Sequence, residues 1–320
     1  MSRPHSPSKD RRPMPVMLSK RANVFYLEHV RVIQQDGRVV YLQEDGVDSS
    51  SFFNIPEKNT ALLLLGKGSS ITDAAARKLA ESNVMLGFCG SGGSPLFSTV
   101  DHVFMSTQSE YRPTEYMQQW MRMWLQEDER LAAARALLRQ RCALIEQFWS
   151  KDTELAGKIN APSEIVQGFR QEIESCPNTT ELLAAEGRFA KRLYATLSNA
   201  FRLKFVREEG KGSNATRVDT INGFLDHGNY IAYGYAAVAL NGLGISFALP
   251  LLHGKTRRGA LVFDVADLVK DALVMPAAFV HGSAGASARE FRQALIVKMQ
   301  DAQVLDILFD IVKKLSEKDL

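Results

Sequence analysis

The period of the hydrophobic pattern changes once along this chain, and that change limits the folds open to it. Before Ser106, apolar residues come in short β-branched and aromatic runs; from Ser106 to Pro113 the composition passes to helix formers, with Pro113 at the entry. Short runs bounded by Gly, Asn and Asp read as strands, whereas apolar residues three and four apart read as one face of a helix. The expected fold class is therefore α+β, with an N-terminal β-rich domain over 1–107 and a larger all-helical domain over 108–320. With 320 residues, 45% of them hydrophobic, the chain can bury a sizeable core.

Residues 1–15 (MSRPHSPSKDRRPMP) are rich in Pro, Ser and charge and are expected to form a mobile arm. VFYLEHVRVIQ, the Asp36-Gly37 pair and RVVYLQ predict a hairpin, and Ala61–Leu65 predicts a further strand. The glycines of GKGSSITDAAARKLAESN do not form a Walker loop, because Lys67 is followed by Gly68 rather than Ser or Thr. They predict a turn into a helix starting near Thr72, with Asp73 in its first turn, and then a strand over Val84–Cys89. Thr114–Trp149 carries Tyr116, Trp120, Met123, Trp124, Leu131, Leu138, Ile145 and Phe148 at helical spacing. This predicts one long amphipathic helix whose Trp and Met stripe is core or dimer contact.

Asn178 and Glu181 stand at capping-box spacing and start another helix. Gly187 inside it costs about 1 kcal/mol relative to alanine, which implies a close approach to its backbone. Arg207–Val218 reads as a polar loop. An apolar helix follows, with Asn222 either a helix-start residue, the preferred reading, or a side chain that bonds to backbone or substrate, and a turn at 241–244 delivers His253. The segment from Arg289 to Leu320 reads as helix with a charged outer face. His227 and His281 have no partner ligand at a recognisable spacing.

A net charge of +3 does not by itself establish a nucleic-acid partner, but the distribution is uneven. Between Arg188 and Arg217 there are eight Lys or Arg against Glu208 and Glu209. Cys89, Cys142 and Cys176 are widely spaced without a CxxC pair, so neither a zinc ribbon nor a disulfide framework is indicated, and a reducing compartment fits. No stretch approaches the ~20 apolar residues that span a bilayer, and the chain reads as cytoplasmic, with no membrane partner.

The chemistry concentrates in LPLLHGKTRRGALVFDVADLVKD, Leu249–Asp271. It holds His253, the cations Lys255, Arg257 and Arg258, and the carboxylates Asp264 and Asp267. On a helix the two aspartates share one face, about 5–6 Å apart at Cβ. An imidazole with carboxylates suits a hard or borderline divalent ion if another carboxylate arrives from elsewhere, and nearby cations suit phosphate. The plain alternative is a lone histidine before a helix with a solvated acidic face. Glu186, beside Gly187 and followed by Arg188, Lys191 and Arg192, is the candidate for the distant carboxylate; otherwise it is an ordinary exposed helix residue.

Glu186-Gly187, Leu251-Leu252-His253 and RGALVFDVADLVK at 258–270 together resemble the universal CRISPR-associated integrase, the metal-dependent nuclease of spacer acquisition. The likeness extends through LLLLGKGSSITDAAARKLAESNVMLGFCGSGG, and the length and inserts resemble the subtype I-F branch. The resemblance implies a homodimer with an N-terminal β domain and a helical catalytic domain. It implies Mg2+ or Mn2+ held by Glu186, His253 and Asp267, with Asp264 as a supporting acid and Arg258 and Lys270 near the scissile phosphate. The family commonly has glutamate at the position of Asp267, arginine at that of Lys270 and glycine at that of Pro250. The implied partners are double-stranded DNA, as spacer precursor and repeat, and a small ferredoxin-like CRISPR-associated protein fused to a helicase-nuclease. Arg188, Lys191, Lys255, Arg257, Arg258 and Lys270 form the expected DNA-binding set. A 3′-hydroxyl nucleophile gives strand transfer and water gives cleavage, so a branched-DNA repair nuclease is one alternative. A DNA-binding assembly platform with structural acids is another.

Overall fold

His29 takes a positive φ of 53° and so ends the first strand, β1 (Asn23–Leu27), before β2 (Val30–Gln35) begins. The sequence reads this stretch as continuous; the left-handed residue divides it, and the two halves enter different sheets. The computed structural model describes residues 16–44, 50–89, 114–159, 162–208, 216–253 and 259–319. Asp36 and Gly37, at φ 49° and 73°, supply the paired positive φ of a type I′ turn. They join β2 to β3 (Arg38–Glu44), which pairs on its other side with β4 (Ser50–Ile55). Then come β5 (Thr60–Leu65), the short β6 (Ser70–Ile71), helix α1 (Asp73–Glu81) capped by the Thr72 side chain, and β7 (Met85–Phe88). One sheet has the order β4-β3-β2-β6 and the other is the parallel set β1-β5-β7. The glycine run between β5 and β6 serves this arrangement: a Cβ on Gly68 would stand 2.4 Å from Nδ1 of His29.

β5 is buried along its whole length, and its alternating side chains serve two cores. Leu63 and Leu65 pack with Val32, Val39, Ile55 and Leu79, while Leu62 and Leu64 belong to the core of the helices. The helices are α2 (Glu115–Leu125), α3 (Glu127–Lys151), α4 (Pro162–Ser175), α5 (Thr179–Ala200), α6 (Arg217–Gly242), α7 (Ala260–Val269), α8 (Met275–Ala284), α9 (Ala288–Asp301) and α10 (Val304–Glu317). A π turn, Lys270–Val274, joins α7 to α8. The fold is α+β as expected, strands first and helices after. The expected boundary at 106–113 and the N-terminal arm lie outside the described residues.

The single helix expected over 114–149 is two. Gln126 is extended (φ −98°, ψ 115°), and Glu127, Asp128 and Glu129 then fill the first turn of α3, where negative charge favours a new N-terminus. Likewise Gln303, at φ 53°, separates α9 from α10. The Asn178 cap holds, its side chain accepting from the backbone N–H of Glu181. The close approach expected at Gly187 is absent: a Cβ there would meet nothing within 4 Å. Such an approach occurs at Gly234 on α6, where a Cβ would lie 2.4 Å from Leu62. That contact seats the central helix, buried on most faces, against β5. No described helix is long and apolar enough to cross a membrane.

Candidate active site

A buried indole N–H needs an acceptor, and all three tryptophans of the chain find theirs on backbone beside one cavity. Trp120 and Trp124 of α2 donate to the carbonyls of Leu249 (3.1 Å) and Pro250 (2.7 Å), and Trp149 of α3 donates to that of Asp271 (2.9 Å). The first two fix the strap that carries His253; the third fixes the π turn after α7.

Asp264, on α7, is enclosed. Its Oδ2 accepts the backbone N–H groups of Leu251 (2.6 Å) and Leu252 (3.1 Å), and its Oδ1 accepts that of His253 (3.1 Å). The same Oδ1 lies 2.6 Å from Nδ1 of His253. A carboxylate only accepts, so Nδ1 carries the proton and Nε2 is the nitrogen left for other work. Burial would lower the proton affinity of His253, but the bond to Asp264 and the charges of Asp267, Asp264 and Glu186 outweigh it and raise the pKa.

Asp267 stands one turn further along α7 and faces the same space. Lys270 Nζ donates to its Oδ1 at 2.6 Å, and Arg141 of α3 lies 3.8 Å from its Oδ2. Burial opposes the charged form of Asp267, yet Lys270, Arg141 and His253 hold its carboxyl below the usual range. Arg141 is itself buried, at 3% exposure. Its Nη1 donates to Glu186 Oε1 (2.7 Å), while Nε and Nη2 both donate to Asp271 Oδ2 (2.8 and 2.5 Å). Burial works against its charge, and Asp271, Glu186 and Asp267 more than restore it.

These side chains wall a cavity of about 240 Å³, to which Glu186, His253, Asp267, Lys270, Asp271 and Arg141 all contribute. Arg207 is also on the wall and pairs with Asp226 at 2.5 Å. On the wall itself three carboxylates (Glu186, Asp267, Asp271) stand with three cations (Arg141, Arg207, Lys270), so the formal charges of the lining balance. Among the described residues no group of His, Cys, Asp and Glu stands as a ready cation site. Glu186 and Asp267 are turned instead onto Arg141 and Lys270. The donor set nevertheless fits a divalent ion: two carboxylates and an imidazole whose other nitrogen is fixed by a carboxylate, the arrangement that orients metal-binding histidines.

Residues 25–283 match the family described as CRISPR associated protein Cas1. The chain belongs to that family. It is 45% identical over 313 residues to the CRISPR-associated endonuclease Cas1 of Pseudomonas aeruginosa strain UCBPP-PA14, covering 95% of each chain. It is 42% identical over 316 residues to the same-named protein of Pectobacterium atrosepticum strain SCRI 1043, covering 94% of this chain and 95% of that one. The I-F-like character fits these two relatives. Among solved structures, a casposase bound to integration product shares the fold at TM-score 0.68 and 14% identity, covering 92% of this chain and 91% of that one. A complex of TtCas1 with DNA does so at TM-score 0.64 and 23% identity, with the same coverage.

Within this Cas1 fold, Glu186, His253, Asp267 and Lys270 share the cavity, and Asp264 sits behind His253. Arg188 and Lys191 lie on the outer side of α5. Arg188 pairs with Glu172 of α4 at 3.1 Å, and Lys191 is exposed. Lys255, Arg257 and Arg258 lie outside the described residues. Of the two readings of Asn222, the helix-start one fails, since α6 begins at Arg217 under a Thr216–Asp219 capping box, and the backbone-bonding one holds. Asn222 is 2% exposed, accepts from the Glu208 N–H (3.0 Å) and donates to the Val206 carbonyl (2.9 Å), which fixes the segment carrying Arg207. The sequence reading missed Arg141, Asp271 and Arg207. Two of them carried a signal: Arg141 interrupts the apolar stripe Leu137, Leu138, Leu144, Ile145, and Asp271 opens the apolar run ALVMPAAF. Charged residues at such positions are buried only with partners.

Proposed function

We propose that this Cas1 chain is a DNA endonuclease and integrase that joins the 3′-hydroxyls of a short DNA fragment to a CRISPR repeat by transesterification, using Mg2+ or Mn2+ held by Glu186, His253 and Asp267. The observation that carries the reading is the cavity in which His253, its Nδ1 tied to Asp264, faces two buried carboxylates from α5 and α7. When bound, a divalent ion would acidify the attacking hydroxyl and stabilise negative charge on phosphorus. Asp264 fixes the tautomer that leaves Nε2 of His253 available. Lys270, held at the wall by Asp267 and 5.3 Å from the Tyr233 ring, places a fixed positive charge where the phosphate would lie.

The names of the relatives, endonucleases and a casposase bound to integration product, support this reaction class, and the TtCas1 structure with DNA supports the substrate. Lysines and arginines of the DNA-binding set would neutralise backbone phosphates, so affinity should fall steeply with salt. Joining two ends to opposite strands needs two active sites. A homodimer fits Phe52 and Phe53, 54% and 42% exposed on β4, an edge strand of its sheet. The ferredoxin-like partner would dock on the helical part of such a dimer.

The test is an integration assay with purified protein, partner, Mg2+ or Mn2+, a labelled fragment and a duplex carrying one repeat. A joined product on a denaturing gel, lost on chelation and in Asp267→Ala, is expected. Undiminished product from Asp267→Ala would refute the assignment, and cleavage without joining would favour the repair-nuclease reading.

A further inference from the structure

We propose that Arg141 is a resident counter-ion for the metal-binding carboxylates, anchored by Asp271 so that it gives up Glu186 to a divalent cation without leaving its place. The inference rests on the metal reading above and adds two positioning residues to it. Its basis is the way the guanidinium divides its donors. Nε and Nη2 fork onto Asp271 Oδ2 at 2.8 and 2.5 Å, and Nη1 alone reaches Glu186 at 2.7 Å and approaches Asp267 at 3.8 Å. Loss of Glu186 therefore removes one hydrogen bond and leaves the fork intact.

Asp271 is itself held from two directions. Trp149, eight residues beyond Arg141 on the same helix, takes the Asp271 carbonyl at 2.9 Å. Within a π turn the i to i−4 ladder is interrupted, so a carbonyl is open to an outside donor, and such turns recur at functional sites. Helix α3 thus grips Asp271 by its side chain and by its backbone. The guanidinium cannot follow Glu186 into the cavity, and its charge continues to offset that of Asp267. The same arrangement explains why the described residues contain no ready cation site: Arg141 holds one prospective ligand until a better cation competes for it.

Mn2+ binding to the full-length protein, read from loss of the free-ion signal in electron paramagnetic resonance, tests this. Arg141→Met removes the competitor and is expected to bind Mn2+ about tenfold more tightly, one charge-assisted bond being worth that order. Asp271→Asn keeps one acceptor for the fork but removes the carboxylate charge that holds it, leaves the charge of the guanidinium to Glu186 and Asp267, and is expected to bind about tenfold more weakly. A purely structural role would weaken binding in both. If Arg141→Met does not fold, Arg141→Gln serves, since its amide keeps a donor for Asp271 but carries no charge to hold Glu186, and it too should bind more tightly. Arg141 variants that bind equally or more weakly, or Asp271→Asn binding equally or more tightly, would overturn the inference. His253→Ala separates the two ideas. If wild type binds no Mn2+, or His253→Ala binds as well as wild type, the metal reading fails and takes this one with it. If binding depends on His253 but the opposite shifts are missing, this inference alone fails.

Discussion

Replacing Asp264 with asparagine keeps the shape of the side chain and changes only what its two atoms can accept. In the native protein Oδ2 serves the N–H groups of Leu251 and Leu252, and Oδ1 serves the N–H of His253 and the Nδ1–H of its ring. With the amide nitrogen in the place of Oδ2, two backbone donors lose their acceptor. With it in the place of Oδ1, one backbone donor is lost and the imidazole must move its proton to Nε2 to accept from the amide. The second orientation is the better one. It leaves one buried donor unpaired, at about 1–3 kcal/mol, and removes the charge from the bonds that remain, at roughly 1 kcal/mol each. Asp264→Asn should therefore lower unfolding free energy by about 3–5 kcal/mol in a urea melt. With Nε2 protonated, Mn2+ affinity should fall by about 10- to 100-fold, the usual effect of removing such a partner. A loss below about 0.5 kcal/mol, the range of an indifferent surface change, together with unchanged Mn2+ affinity, would refute the roles given to both residues.

Gly187→Ala should raise stability by about 0.5–1 kcal/mol, because the site has open space and helical alanine is favoured there; a thermal melt showing a loss would reveal a contact at that face. Gly234→Ala should cost about 1–3 kcal/mol by overpacking against Leu62, measurable in the same melt. His227, packed against Arg292 with Glu28 and Asp226 nearby, has its pKa lowered by burial and then by the Arg292 charge. A depressed folded-state pKa means that the unfolded chain takes up the proton first. Stability is complete above about pH 6.5 and falls as pH drops from there through the folded value. His227→Gln should flatten that part of the profile, leaving the part due to His281, which is lowered in the same sense; an unchanged acid limb would count against a buried neutral His227.

Local rules carried the reading of the sequence wherever the cause of a structure lies within a few residues. The Asp36-Gly37 turn, the Thr72 and Asn178 caps and the apolar run of β5 are of this kind. The failures have distant causes. Nothing within VFYLEHVRVIQ announces that His29 turns left-handed; the reason is the parallel pairing of β1 with β5, more than thirty residues on, and the Gly66–Gly68 turn that receives it. The division of the site follows the same line. Its prospective ligands His253 and Asp267 sit in one compact motif, and Lys270 follows within one turn. Their counter-charges do not: Arg141 is 130 residues from Asp271 and 45 from Glu186, so pairing them takes the packed helices.

The change of hydrophobic period near residue 106 is a boundary in composition but not in packing. Val24, Ala61, Leu62 and Leu64 come from the strand-rich part, yet they are buried in the same core as α3, α6 and α10. Burying a valine or leucine side chain contributes about 1.5–3 kcal/mol, so Val24, Leu62 and Leu64 together contribute an amount comparable to the whole stability of an ordinary domain. The far end of β1 adds a polar tie, with Glu28 accepting from Arg292 of α9 at 2.6 Å and Arg292 lying over the Tyr26 ring at 4.5 Å. Helix α6 links this seam to the chemistry. Gly234 meets Leu62 on one side of it, while Asn229 and Tyr233, within two turns, line the cavity of Glu186, His253 and Asp267. A displacement of the strands against α6 therefore acts on the cavity wall directly, through one rigid helix rather than a chain of loops.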